Sequence, residues 1–266
     1  MTGTADHASP NPTEQLEVRG VRKAFGDRLV LNGITLTVAP GEIVSLVGPS
    51  GSGKSTLLGI LTGAVEPDAG SIRFANAPVP ERHRPFAYMP QRDVLLPWRT
   101  VLDNAGIGLE VAGQSRADAR RQARGLFAPF GLAGTEHLYP QQLSGGMRQR
   151  VAFLRTVVQR KPVLLLDEPF GALDAITRDE LQRWLLEIWR RHAWSILLIT
   201  HDIREAVRLS DRVLILPSVP GPLLGDVRVS RDIPRLDGFI TDPRVPELEA
   251  ALHDLLRQAA GAGRVA

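Results

Sequence analysis

The sequence lacks cysteine altogether, and aromatic residues make up only 5% of its 266 positions. Without cysteine, neither a disulfide nor a thiolate metal site can form, and a reducing compartment is the simplest setting. Long hydrophobic runs are also missing. The longest stretches, such as residues 163–166 and 196–199, are far shorter than the roughly 20 residues that span a bilayer. Any role at a membrane must therefore act through a partner.

A large excess of charge of one sign is missing too, because 32 basic residues face 29 acidic ones and leave a net charge of +3. No basic stripe interleaved with aromatic residues is present, so the composition does not favour nucleic acid as a partner. Residues 1–15 lack the apolar core of a signal peptide and predict a disordered N-terminal tail. Four arginines at helical spacing are interpreted as a solvated helix face rather than a binding patch: Arg116, Arg120, Arg121 and Arg124.

Short apolar segments alternate with helical ones along most of the chain. Residues 42–47, 163–167 and 195–200 have the length and composition of fully buried strands. Residues 16–38 instead alternate apolar and polar side chains in the manner of exposed strands. Strands that alternate with helices predict a parallel sheet.

Two parts of the chain are predicted to be mainly helical or peripheral to that sheet. Residues 94–159 read as a helical insertion, whose last helix, over 145–159, places apolar residues on one face: Met147, Val151, Leu154 and Val158. Residues 217–266 are predicted to form a short C-terminal extension that ends in a helix over 246–258, with Pro246 in its first turn.

The strongest motif is a glycine-rich loop between a predicted strand and a predicted helix. Glycines allow successive backbone N–H groups to turn toward one phosphate, and the following helix presents its positive end. Lys54 would reach the outer phosphates, and the hydroxyl of Ser55 suits a Mg²⁺ ligand. The loop therefore predicts nucleotide binding by Gly48, Pro49, Ser50, Gly51, Ser52, Gly53, Lys54, Ser55 and Thr56.

Polar residues also follow two of the buried strands, at the edge where α/β sheets bind their ligands. Asp167 is suited to Mg²⁺, and Glu168 to polarising an attacking water, although a turn before a proline would look similar. His201 follows the next strand and could contact a γ-phosphate, and Gln91 could sense the same metal or water. On spacing alone, a structural role for either of these two residues remains open.

Residues 143–147, LSGGM (hereafter the signature), span the start of the helix predicted over 145–159. Alone, they read as a serine that caps a helix, followed by a flexible glycine pair. Backbone N–H groups at a helix start also complement an anion, so a second phosphate site is the alternative.

Together and in this order, these motifs resemble the nucleotide-binding subunit of ATP-binding cassette (ABC) transporters, over residues 16 to 216. The resemblance implies an α/β fold, with a P-loop NTPase parallel-sheet core, an antiparallel β subdomain and a helical insertion subdomain at about 94–159. It implies that Phe25 stacks on adenine, that Gln91 and His201 serve hydrolysis, and that Glu168 is the catalytic base. Mg²⁺ would be held by Ser55, Gln91 and Asp167.

The resemblance also implies partners. Two copies would pack head to tail, so that Ser144, Gly145, Gly146 and Asp174 of one copy meet the ATP held by the other. The segment LLPWRTVLDN is similar in sequence to ATPases of importers for nitrate, sulfonates, taurine or thiamine precursors. Such ATPases act with a separate permease and, indirectly, with a solute-binding protein. The chain would then lie at the cytoplasmic face of the bacterial inner membrane, without nucleic acid.

Residues 95–98 allow two interpretations, and two other classes of protein remain as alternative functions. Leu95, Leu96, Pro97 and Trp98 read as core on sequence alone, whereas the resemblance implies a groove for the permease. An ABC-type ATPase acting on nucleic acid is the alternative function, and a P-loop enzyme outside transport, such as a kinase, is a third. The first usually has a coiled-coil insertion or two cassettes, and the second would lack the signature.

Overall fold

The computed structural model describes residues 15–79 and 85–261. Most of the predicted N-terminal tail, residues 1–14, lies outside the described residues. Its last residue, Gln15, is hydrogen-bonded: its backbone N–H donates to the carbonyl of Val38 (3.0 Å), and its side-chain oxygen accepts from Ser195 (2.6 Å). Gln15 therefore belongs to the folded part of the chain.

Strands and helices are numbered in chain order over the described residues. The strands are β1 (Leu16–Phe25), β2 (Arg28–Val38), β3 (Ile43–Val47), β4 (Ala69–Phe74), β5 (Ala77–Pro78), β6 (Phe86–Met89), β7 (Val163–Asp167), β8 (Ser195–Ile199), β9 (Arg212–Ile215) and β10 (Gly225–Arg228). The α-helices are α1 (Lys54–Thr62), α2 (Val101–Val111), α3 (Arg116–Phe127), α4 (Gly145–Val157), α5 (Ala175–His192), α6 (Ile203–Leu209) and α7 (Arg244–Gly261), and short 3-10 helices cover Pro140–Gln142 and Phe239–Thr241.

Two sheets face each other across one of the cores. One has the order β2-β1-β4-β5 and is antiparallel, and the other has the order β10-β9-β3-β8-β7-β6. Strands β9, β3, β8, β7 and β6 pair in parallel, and β10 pairs antiparallel at the edge. The parallel core and the antiparallel sheet are therefore confirmed.

The parallel strands read as continuous apolar runs because both of their faces are covered. In β7, Leu164 and Leu166 pack against a core shared with α2 to α5, while Val163 and Leu165 pack against the core below the antiparallel sheet. Successive side chains of a strand point to opposite faces. The alternation thus holds the parallel sheet between two layers and leaves its strand ends free to present polar residues.

Helices α2, α3 and α4 lie between β6 and β7. On α4, Val151 and Leu154 are fully buried, so the predicted apolar face is confirmed. Arg116 and Arg120 keep exposed side chains (57% and 43%), as a solvated face predicts, and both also donate to the carboxylate of Asp103 (2.8 and 2.7 Å).

Asp103 is only 2% exposed and joins α2 to α3 through this contact. Burial alone would raise its pKa, but hydrogen bonds from Arg120, Arg116 and Thr100 outweigh burial and hold the pKa well below its usual range. Arg121 and Arg124 are exposed, as predicted.

The C-terminal part of the chain is packed on the sheet domain. Strand β10 extends the larger sheet, and α7 shares a core with α6 and β9 through residues such as Leu252 and Ala259. The predicted terminal helix is confirmed and is longer than expected, at Arg244–Gly261. Among the described helices, none combines the length and apolar character needed to cross a membrane.

Candidate functional site

The glycine-rich loop lies between β3 and α1, and its glycines are required by close contacts. A Cβ on Gly48 would lie 2.5 Å from the carbonyl oxygen of Leu216, a backbone atom that cannot move aside cheaply. Gly53 has φ 99°, in the left-handed region that favours glycine, and a Cβ there would meet Leu31 at 2.6 Å. The sequence of this loop is thus imposed by its backbone path.

The start of α1 differs from the starts of α2 to α6. Those five helices are each capped by a side chain: Thr100, Ser115, Ser144, Asp174 and Asp202. Gly53 precedes α1, and no side-chain cap serves its first turn. Unsatisfied N–H groups and the positive end of the helix dipole together form an anion site.

Lys54 is the first residue of α1, and its side chain lies across the loop. Its Nζ donates to the carbonyls of Gly48 and Pro49, both at 2.8 Å. Burial lowers the pKa of Lys54, while the nearby carboxylates of Glu168 and Asp167 act in the opposite direction. The ammonium group is therefore placed between the phosphate loop and the carboxyl ends of the strands.

Three polar side chains converge just after β6, β7 and β8. Glu168 Oε2 accepts a hydrogen bond from Nε2 of Gln91 (2.8 Å) and lies 3.3 Å from Nδ1 of His201. Glu168 itself has φ 44°, a left-handed conformation that is uncommon for a residue other than glycine. Gln91 and His201, which sequence spacing left open, thus meet at one carboxylate oxygen.

Asp167, the last residue of β7, has a partner that sequence reasoning missed. The hydroxyl of Tyr88 donates to Asp167 Oδ2 at 3.2 Å. Burial raises the pKa of Asp167, and burial together with the Asp167 charge raises the pKa of Tyr88 to about 12. Tyr88 pairs with Leu165 in the parallel register of β6 with β7, which brings its side chain within reach of Asp167, two residues further along β7.

An open cleft joins these groups, and it contains predicted and unpredicted residues. Its lining consists of Phe25, Arg28, Val30, Ser50, Gly51, Gly53, Lys54, Ser55, Thr56, Gln91, Glu168 and His201. Phe25 is 52% exposed, as suits a ring that stacks on a planar base. Arg28 and Val30 were not predicted.

The signature residues and Asp174 are not among the residues that line this cleft. Ser144 caps α4 by accepting from the N–H of Met147 (3.2 Å), so the simple capping interpretation is correct within this chain. Asp174 caps α5, and hydrogen bonds from Thr177 lower its pKa. Both helix starts leave further N–H groups without a side-chain partner.

The donors near the loop fit a Mg²⁺ ion that is bound together with nucleotide. No cluster of three or more histidine, aspartate or glutamate side chains in the described parts of the chain could hold a metal by itself. Mg²⁺ in NTPases typically uses one or two carboxylates and keeps phosphate oxygens and waters as its other ligands. Asp167 and the exposed hydroxyl of Ser55 match that partial set.

The segment between Gln91 and α2 is exposed where the sequence alone favoured core. Leu95 is buried, but Trp98 is 72% exposed and Val94 is 56% exposed. The core interpretation is therefore wrong for Trp98. Neighbouring exposed apolar side chains are typical of contact surfaces when they form a contiguous patch.

Comparison with known proteins places the chain in a family. The family model described as ABC transporter matches residues 31–171. The formylaminopyrimidine import ATP-binding protein ThiZ of Halalkalibacterium halodurans is 44% identical over 77% of this chain and 80% of its own length. The taurine import ATP-binding protein TauB of Yersinia pestis is 45% identical over 79% of this chain and 82% of its own.

A solved structure extends the likeness to the fold. It is a bacterial ABC transporter cassette described as dimeric, 28% identical, with a TM-score of 0.69 over 81% of this chain and 99% of its own. With the family model, the relatives and the cleft in agreement, the chain belongs to the ABC transporter family, whose members named above are ATP-binding import proteins.

Proposed function

We propose that this chain is the ATP-hydrolysing subunit of a bacterial importer that moves a small solute through a separate permease. The observation that carries the proposal is the cleft in which the uncapped start of α1 and Lys54 face Glu168. In this proposal, phosphate binds on one side of the cleft and water is activated on the other.

The side chains of the cleft divide the chemistry among them. Phe25 stacks on adenine, and Lys54 with the loop N–H groups binds the outer phosphates. Ser55, Gln91 and Asp167 would hold Mg²⁺, which when bound neutralises phosphate charge. The roles of these residues are thus positional and electrostatic.

Glu168 accepts a proton from the attacking water. Its carboxylate lies beside Gln91 and His201 and lines the same cleft as Lys54, which would hold the γ-phosphate. His201 is well exposed in this cleft and can approach the γ-phosphate when the site closes.

A second copy completes the site in this proposal. Because Ser144, Gly145, Gly146 and Asp174 do not line the cleft of their own chain, they are free to meet ATP bound by another. The N–H groups at the start of α4 complement negative charge in either arrangement. A head-to-tail dimer completes the ATP sites of both copies, since each copy supplies one phosphate loop and one signature.

Mixing two inactive variants tests this arrangement. In a Glu168→Gln background, Lys54→Ala should not bind ATP, and Ser144→Arg should bind ATP without associating. A mixture would form a heterodimer in which one site keeps both intact halves. Recovery of MgATP-dependent association by light scattering supports the dimer, and a mixture that behaves as two inert monomers contradicts it.

Coupling to the membrane is assigned to the exposed segment around Trp98. It follows Gln91 directly, so movement there can accompany a change at the ATP site. The permease would contact this segment at the cytoplasmic face of the inner membrane, with a solute-binding protein acting on the far side. Taurine, other sulfonates, nitrate and pyrimidine precursors are the candidate solutes, by analogy with the importer proteins.

Purification of the intact complex from its membrane tests the transport assignment. The copurifying permease would be identified, and ATPase activity measured with each candidate solute and the binding protein. Stimulation by one solute class supports import. Stimulation by DNA or RNA instead, with no permease recovered, would favour the nucleic-acid alternative, which the relatives described above do not support.

A further inference from the structure

The loop that carries Trp98 (the Trp98 loop, residues 92–100) is fastened to α4 by two arginines. Arg155 donates from Nη2 to the carbonyl of Asp93 (2.7 Å) and from Nη1 to the carbonyl of Val94 (2.8 Å). Arg148, about two turns nearer the start of α4, donates from Nε to Asp93 Oδ2 (3.2 Å). Helix α4 therefore holds the beginning of the loop from two positions, about two turns apart.

The contact with Arg155 spans a strained residue. Val94 has φ 44°, in a region that a β-branched residue rarely adopts unless its surroundings hold it there. The two carbonyls that Arg155 binds lie on either side of the Val94 Cα atom. Among the described residues, the half-buried guanidinium of Arg155 hydrogen-bonds only these two groups. The arginine thus stabilises one conformation of the loop.

The other end of the Trp98 loop is fixed by α2. Asn104, which is fully buried, accepts from the N–H of Leu96 (2.7 Å) and donates to its carbonyl (3.0 Å). Asn104 also donates to the carbonyl of Arg99 (3.1 Å), so the exposed Trp98 lies between two loop residues that Asn104 binds. The loop is therefore braced on both sides of its exposed aromatic residue.

The same arginines connect the loop to the signature. Arg148 also donates from Nη1 to the carbonyl of Leu143 (2.8 Å), immediately before the Ser144 cap. From Ser144 to Arg155 the helix extends about 16 Å, at 1.5 Å per residue. A packed helix of this length is a rigid element, so its two ends move together.

We propose that Arg155 is a positioning residue that joins the Trp98 loop to the helix beginning at Ser144, so that a displacement of one reaches the other. The inference rests on the proposed function, in which Trp98 contacts the permease and Ser144 contacts the ATP of a second copy. It names the side chain that links those two contacts. Arg148 supports the link by binding the loop and Leu143 at once.

Hydrogen exchange of the intact chain, without nucleotide, measures the link directly. Lysine cannot reach both carbonyls in the fork geometry of arginine, so Arg155→Lys loses one charge-assisted hydrogen bond. We expect exchange of residues 93–98 to rise about tenfold, and exchange of residues 144–147 to rise about threefold.

Arg150→Lys is the matched control. Arg150 lies on the same helix, with its guanidinium 5.6 Å from the ring centre of Trp184. Its described contacts do not include the Trp98 loop, so exchange of residues 93–98 should stay unchanged in this variant.

Two exchange results would overturn the proposal. Unchanged exchange at 93–98 in Arg155→Lys would mean that Arg155 does not hold the loop. A rise at 93–98 with no rise at 144–147 would mean a purely local role. Should Arg155→Lys fail to fold, Arg155→Met, which keeps an unbranched side chain on α4 and removes the guanidinium that binds the two carbonyls, must loosen both segments in its place.

Steady-state kinetics add a readout that a local structural role would not move. We expect Arg155→Lys to lower kcat about tenfold and leave the KM for ATP within about twofold, because the phosphate loop is untouched. A raised KM with unchanged kcat would contradict the proposal. Absence of hydrolysis by the unsubstituted chain would reject the proposed function instead, and the exchange result would still decide the link.

Discussion

Replacement of Glu168 by glutamine tests the proposed chemistry most directly, because it removes one charge and almost no volume. Glu168 Oε2 accepts from Gln91 at 2.8 Å and lies 3.3 Å from Nδ1 of His201. A glutamine side-chain oxygen accepts the same hydrogen bond, so the arrangement around it should persist. The change therefore removes mainly the ability to take a proton from water.

The expected magnitude follows from that single loss. A positioned general base contributes about 10²–10⁴-fold to the rate, so kcat should fall by that factor, or about 3–5 kcal/mol in activation free energy. ATP binding should be kept, since Lys54 and the loop N–H groups are unchanged. With hydrolysis blocked, MgATP should hold two copies together as a stable dimer.

Phosphate release and light scattering measure the two expectations on the same samples. Glu187→Gln is the control, because it makes the same chemical change at an exposed position on α5, outside the cleft. A Glu168→Gln chain that stays monomeric with MgATP and hydrolyses at the normal rate would refute the assignment of Glu168.

Three further changes probe the structure around the site. Asp103→Asn should lower the free energy of unfolding by about 1–3 kcal/mol, because its arginine partners lose the carboxylate charge and one of its two acceptor oxygens. Since the folded pKa of Asp103 is depressed, its contribution is present above about pH 4 and lost as the pH falls, so urea midpoints of variant and parent should converge in acid. Gly146→Ala should destabilise by about 1–3 kcal/mol in thermal unfolding, because its Cβ would lie 2.8 Å from Thr177 Cγ2; an unchanged midpoint would mean that α5 yields freely. Trp98→Ala should leave basal ATPase and melting nearly unchanged but lose the permease in copurification, and an unfolded variant would favour the core interpretation.

Much of the fold was predictable because local patterns agreed with it. The strand predicted at 163–167 is observed as Val163–Asp167, and its uninterrupted apolar character follows from burial on both faces. Helix α4 begins where the Ser144 cap predicts, and it ends at Val157, two residues earlier than expected. Helix ends are set by weak competing interactions, so small errors there are ordinary.

Contacts between distant elements were not predictable from the same patterns. Arg116 and Arg120 carry no sign of their pairing with Asp103, because helical spacing shows only which residues share a face. Tyr88 reaches Asp167 only through strand pairing. Such pairs depend on how elements pack, which periodicity within one element does not contain.

The sequence by itself determined the anion-binding loop, the carboxylates that follow β7 and the order of the motifs, because each depends on neighbouring residues and local backbone geometry. Only the tertiary structure decided which side chains share the cleft, since Gln91, Glu168 and His201 come from separate strand ends that parallel pairing brings to one edge. It also decided that Trp98 is exposed and that Arg155 holds the loop beside it, because burial and long-range hydrogen bonds exist only once the helices have packed.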